Sequence, residues 1–402
     1  MKKNYLKLTA AVMASLMVAF TSCNDDDDDD VKPVEDKDVN VISSNITENT
    51  TWKNDKIYQL GTRVTVEEGV TLTIEAGTVI KGELGTGTNA TALLVARGAT
   101  LMAEGEADAP IIFTTVGDEI TPEDVKAGDI GSPNLETTAN GLWGGVIILG
   151  SAPISASNDD GELSEVQIEG IPTSDPNGLY GGNEADDNSG VIKYISIRHG
   201  GSNIGSGNEI NGLTLGGVGT GTTIENVEVV SNQDDGVEWF GGTVNVKNVV
   251  SWNVNDDAID CDQAWHGTLD NFVVIAPADH NFELDGPEGE YGWDKGYTIK
   301  NGLVICADAD TNRVSADLFN TDDITIANLE NIHFTNIQEG QWINRVEHTE
   351  GEVNFTDITL DVPEGDLQDF VNGDVPSGVT ASSTKPTITG LNWTWASKVG
   401  AF

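Results

Sequence analysis

The segments TIENVEVV (223–230), NVKNVVSW (245–252) and TLDNFVVI (268–275) share an apolar residue, an outward residue, an asparagine and a second apolar residue. Ile224, Val246 and Leu269 align, then Asn226, Asn248 and Asn271, then Val227, Val249 and Phe272, at steps of 22 and 23 residues. TIKNGLVI continues the series at Ile299 and Asn301, and TIANLENI at Ile326 and Asn328. Earlier, VTVEEGVTLTIEAGTVIKG (64–82) and ALLVARGATLMAEG (92–105) repeat a related phrase of alternating apolar residues broken by glycine. A unit this short cannot bury its apolar face alone. Stacked on its neighbour, it pairs every strand in parallel at about 4.8 Å and builds one continuous core.

The expected fold is therefore all-β: a single-stranded, right-handed parallel β-helix, a solenoid with long inserted loops and a small C-terminal cap. Forty-six glycines fit tight turns, and no 3.6-residue period shows before about residue 363. The LxxLxLxxN phrase of leucine-rich repeats is missing, and a propeller needs longer blades. Residues 45–350 are expected to form the coil and 351–402 its last rungs and cap, with a short helix at 363–376. Leu391, Trp393 and Trp395 alternate and suit a cap over the open end. Residues 117–140 and 157–190 read as long surface loops, and the aligned asparagines as a ladder of amide hydrogen bonds between rungs. Cys261 and Cys306 could pair, but lone positions on apolar strands favour buried free thiols.

The same spacing carries acids. SNQDDGVEWFGG, VNDDAIDCDQAW and APADHNFELDGP place Asp234, Asp256 and Asp279 in one column and Asp235, Asp257 and His280 in a second. Glu238, Asp260 and Glu283 form a third, and Asp262 and Asp285 begin a fourth. Val237, Ile259 and Phe282 alternate with them and are expected in the core, which turns the acids outward. Stacked carboxylates repel by roughly 1 kcal/mol per pair in bulk water, more where solvent is excluded. Bound cations, protonation or hydration could offset this. Calcium, which takes about six to eight oxygens, suits the first case, although EF-hand and GGxGxD signatures are absent. The ten acids are the expected metal ligands. Trp239, Trp265, His280, Tyr291 and Trp293 are the expected ligand-binding residues, as aromatic platforms and polar groups for a sugar. Trp252 aligns with Val230 and Ile275 and reads as core.

Residues 1–22 (MKKNYLK, then an apolar run and TSC) have the layout of a secretory signal. FTSC resembles a bacterial lipobox, in which Cys23 becomes the lipidated first residue. The following NDDDDDD and its acidic neighbours, 23–44, read as a disordered tether. It resembles the acidic stretch behind the lipid cysteine of surface-exported Bacteroidetes lipoproteins. The expected location is the outer membrane, lipid-anchored and facing the exterior. The formal charge of −46 becomes −49 once the three leader lysines are removed. Such a surface excludes nucleic acid and repels acidic glycans unless divalent cations intervene.

LWGGVIILGSAP, DDGVEWFGGTVNVKNVV, NDDAIDCDQAWHG and WTWASKVGAF together resemble a family of Bacteroidetes surface lipoproteins with a pectin-lyase-like right-handed β-helix. The resemblance implies the fold and the outer-surface address and brings no catalytic residues with it. NDDAIDC and RHGG are only loosely like polygalacturonase phrases, and no basic cluster suited to a lyase is visible. The expectation is a surface β-helix whose acidic face binds ligand, foremost a glycan with calcium. A polysaccharide lyase or hydrolase and an adhesive spacer are the alternatives.

Overall fold

The computed structural model describes residues 38–158, 161–204, 209–287, 296–344 and 351–402. Cys23, the leader, residues 23–37 of the expected tether, Tyr291 and Trp293 lie outside them.

Within these residues the chain winds as a right-handed parallel β-helix. A 16-stranded sheet and an 8-stranded sheet, both parallel, run along the coil; the 8-stranded sheet ends at Asn320–Thr321, and the last turns add strands to the larger sheet alone. The registers bear out the aligned positions: Ile224 lies opposite Val246, Val246 opposite Leu269, and Val227 opposite Val249 and then Phe272. Coiling begins before the expected boundary at 45. Val39–Ile42 already pairs with Ile57–Leu60. It also continues past 350, through Glu352–Thr356, Ile358–Leu360 and Val379–Ala381.

The long strands of the large sheet bend at one residue per rung, and that residue has left-handed backbone: φ is 60° at Asn226, 62° at Asn248, 66° at Asn271, 61° at Asn301 and 53° at Asn331. Asparagine tolerates this region, and its amide can bond along the stack. Asn248 Nδ2 donates to Asn226 Oδ1 at 2.9 Å, Asn271 to Asn248 at 2.7 Å, and Asn331 to Asn301 at 2.8 Å. The expected ladder is present with two corrections. Asn301 Nδ2 donates to Asp270 Oδ1 at 2.6 Å, so the run breaks between Asn271 and Asn301. The rung after Asn301 supplies Asn331, because Ile299 lies opposite Leu329. Asn328 instead accepts from Asn354 one rung on.

Inside the coil, Trp239 stacks on Trp265 with ring centroids 4.6 Å apart, and Trp265 on Tyr297 at 5.4 Å. Phe272, Phe282, Phe319 and Phe334 continue the filling. Cys261 and Cys306 are buried free thiols.

The described parts of the inserted loops cover the coil. Residues 154–180 form two small hairpins, and Ile168, Ile171 and Tyr180 pack on Leu94, Ile147 and Phe240 of the 8-stranded sheet. Residues 117–140 contain a short helix, Pro122–Ala127, set by a Thr121–Asp124 capping box and a proline in its first turn.

The end segment differs from expectation. Leu367, Phe370, Val371 and Val375, around a 3-10 turn at Glu364–Phe370, close the core. LNWTWASKVGAF does not cap the coil end. It lies along the flank of the 16-stranded sheet, where Leu391, Trp395 and Ala396 cover Val230, Trp252, Ile275 and Ile305. The outward residues of those strands are apolar and need that cover. The clasp also seals a buried ion pair. Arg198 and Glu228 are both fully buried, 3.7 Å apart. The Arg198 guanidinium lies 4.9 Å over the Trp395 ring, and Ala396 N–H donates to Glu228 Oε1 at 2.9 Å.

Candidate functional site

The short strands Val237–Phe240, Ile259–Cys261 and Glu283–Leu284 lie side by side in the 8-stranded sheet. Val237, Ile259 and Phe282 face the core. Glu238 is therefore thrown outward, directly opposite Asp260, which is opposite Glu283 and then Asn320. The turns before these strands carry the other two columns. Asn211 Oδ1 accepts from Asp235 N–H at 3.3 Å, Asp235 Oδ1 from Asp257 N–H at 2.9 Å, and Asp257 Oδ1 from His280 N–H at 2.5 Å. Asp234, Asp256 and Asp279 lie one residue before this series. Asp262 and Asp285 follow the strands and are half-buried.

Four of these acids are withdrawn from solvent, and the others are partly exposed. Asp235, Glu238, Asp257 and Asp260 are 7, 6, 2 and 8% exposed. Burial is the first cause of raised carboxyl pKa values here, with neighbouring acids second. Asp234 is pushed up to about 8, with Glu169 and Asp256 the nearest electrostatic causes. Glu283 rises to about 8 and Asp256 to about 6. Asp235, Glu238 and Asp260 are raised well above the usual carboxylate range. Asp260 Oδ1 has no hydrogen-bond partner, although it is shut off from solvent.

Another column of the same coil serves as an internal control. On the 16-stranded sheet the outward position runs Glu104, Lys193, Glu225, Lys247, Asp270, Lys300 and Glu330, each opposite the next. The sign alternates at every rung, and Lys193 pairs with Glu225 at 3.5 Å. On this face the coil places lysines between its acids, the arrangement that favours cross-strand pairing. The three acidic columns contain no lysine or arginine, and His280 is their only basic side chain.

His280 Nδ1 lies 3.0 Å from Asp257 Oδ1 and 3.9 Å from Glu283 Oε1, and Nε2 lies 3.3 Å from Asp279 Oδ1. Burial lowers its pKa, but Asp257, Asp279 and Glu283 outweigh that and set it at about 9. It is an imidazolium at neutral pH. Ligand atoms fall within 4.8 Å of one another in three trios: Asp234/Asp235/Asp256, Asp235/Glu238/Asp260 and Asp257/Asp279/His280. The first two offer only oxygen, the donor set of a hard cation such as calcium.

Two expected ligand-binding residues need correction. Trp239 and Trp265 are fully buried in the core, so no sugar reaches them. Trp239 follows Val237 by two residues and shares its inward face. Trp265 turns in to donate its indole N–H to Val244 O at 2.9 Å. Sequence reading missed Glu169 and Glu209, whose charges bear on Asp234 from the insertions. Glu169 lies in the 166–180 hairpin, outside the repeat, and Glu209 sits two residues before Asn211, one position off the register of the acidic columns.

No curated protein matches this chain, and no solved structure does. A family model described as a pectate-lyase like beta helix domain matches residues 44–389, and the chain belongs to that family.

Proposed function

We propose that this protein is a lipid-anchored protein of the bacterial outer surface that binds a saccharide through divalent cations, calcium above all, held on the acidic columns. The observation that carries the reading is the contrast between the two charged faces. Lysines interleave the acids of the 16-stranded sheet, whereas Glu238, Asp260 and Glu283 stack without one. Carboxylates kept buried and unneutralised carry a steep free-energy cost, which a bound cation removes. The unpartnered Asp260 Oδ1 fits such an ion.

A cation also answers the charge problem of the ligand. At −46 the bare chain repels acidic sugars, and an ion on the columns turns that face attractive to carboxylate- and hydroxyl-rich glycans. Membership of the pectate-lyase-like family points to carbohydrate as the chemistry. Asp256, Asp279 and Glu283, at the less buried end, are the residues assigned to the ligand-facing ion, and the His280 imidazolium beside them is assigned to the saccharide. The surface address rests on the lipobox-like FTSC and the aspartate run behind Cys23.

The test is glycan-array binding in calcium and in chelator, run with an assay for reducing ends and unsaturated products. The reading predicts binding in calcium only, weakened by Asp279→Asn with Glu283→Gln, and no product release. Products would replace it with a lyase or hydrolase. Silence in both assays, with adhesion lost on deletion, would leave a spacer. Labelled palmitate should enter the wild-type chain and not Cys23→Ala.

A further inference from the structure

We infer that the more buried end of the columns holds a second, structural cation, which ties the insertions to the coil. This rests on the reading that the columns bind divalent cations, and it assigns Glu169 and Glu209 as outer contributors to the site. Its centre is Asp235, Glu238 and Asp260, whose ligand atoms lie within 4.8 Å of one another and which are all buried. Three such groups can share protons or share a cation. With all three charged, Asp260 Oδ1 has no hydrogen-bond donor and no solvent. Asn211 completes the wall: its Nδ2 donates to Glu238 Oε2, and its Oδ1 accepts from Asp235 N–H.

The roof comes from the insertions. Gln167 Nε2 donates to the carbonyls of Ile171, Pro172 and Asp175, which folds the 166–180 hairpin tightly on itself. Ile168 and Ile171 then pack beside Ile210 on the outer face of the 8-stranded sheet. Glu169 and Glu209 are thereby held close enough for Glu169 to act on both Asp234 and Glu238, and for Glu209 to act on Asp234 and Asp256. Two more acids brought over an acidic column would drive the insertion off the coil. A cation between them reverses that sign and makes the hairpin a closed cover.

The experiment is metal retention by the purified chain. The chain is loaded with calcium, dialysed exhaustively without chelator, and its metal content measured. Limited proteolysis of the 154–187 segment is then compared in calcium and in chelator. The expected result is about one calcium retained per chain, with the segment cut at least tenfold faster in chelator. Glu169→Gln with Glu209→Gln should weaken retention at least tenfold and leave the fold intact by circular dichroism. Asp260→Asn should abolish retention. Asp279→Asn with Glu283→Gln should keep the retained ion while losing the exchangeable one. Calcium that binds but washes out completely would overturn the structural ion and leave the ligand-facing reading standing. No binding at all would overturn both. Equal retention by the Glu169/Glu209 double variant would overturn the role of the roof.

Discussion

Asp260 lies directly opposite Glu283 in the next rung of the 8-stranded sheet, like charge against like. Ten residues after Asp260, Asp270 on the 16-stranded sheet lies between Lys247 and Lys300. One coil thus treats the same residue type in opposite ways on two faces, and the difference yields several tests.

In chelator, stability should fall as pH rises. Asp256, Asp234 and Glu283 have folded pKa values of about 6, 8 and 8, above their unfolded values near 4. The folded state therefore holds protons that the unfolded chain releases. Their contribution is complete below about pH 4 and is lost as pH climbs through 6 to 8. His280, raised to about 9, acts in the same direction and loses its contribution between about 6.5 and 9. Urea midpoints from pH 5 to 9 in chelator should decline steadily. Calcium should flatten the decline and release protons on binding.

Asp260→Asn keeps the shape and removes an ionisable carboxyl from the centre of the column. In chelator at neutral pH the variant should melt higher than wild type, because burial forces the wild-type carboxyl to take up a proton on folding and the amide needs none. Its calcium affinity should fall by roughly tenfold or more. Opposite signs in the two measurements separate a metal ligand from a purely structural acid.

Lys247→Glu makes the control column acidic at one rung, between Glu225 and Asp270. It should destabilise by about 0.5–1 kcal/mol, the scale of cross-strand charge pairs. Calcium affinity should stay unchanged. Denaturant midpoints and a calcium titration on the same sample give both numbers.

Glu228→Gln leaves the Arg198 guanidinium buried without its counter-charge beneath the clasp. The expected cost is about 3–5 kcal/mol. Trp395 fluorescence should report loosening of residues 386–402 before the coil unfolds.

Much of this was legible in the repeat. Spacing alone aligned Ile224, Val246 and Leu269 and stacked the acids, because one rung consumes a fixed length of chain. The alternating column is equally readable at Glu225, Lys247, Asp270 and Lys300. Trp239 was misplaced although alternation from Val237 already put it inside. Asn328 reads as the rung's asparagine because TIAN repeats the TIKN phrase three residues ahead of the true register, in which Ile299 lies opposite Leu329. Burial of the acids was not legible, since it comes from insertions whose docking depends on tertiary contacts rather than on period. The clasp was hidden for the same reason. An apolar tail reads alike whether it covers an end or a flank.

The most direct measurement is the melting temperature of the purified chain at pH 8 in excess calcium and in chelator. If the acidic columns are a cation site, calcium at about a hundredfold over Kd should add about 3 kcal/mol and raise the midpoint by several degrees, an effect reduced in Asp260→Asn. Identical midpoints in calcium and chelator, with no heat on titration, would contradict the account.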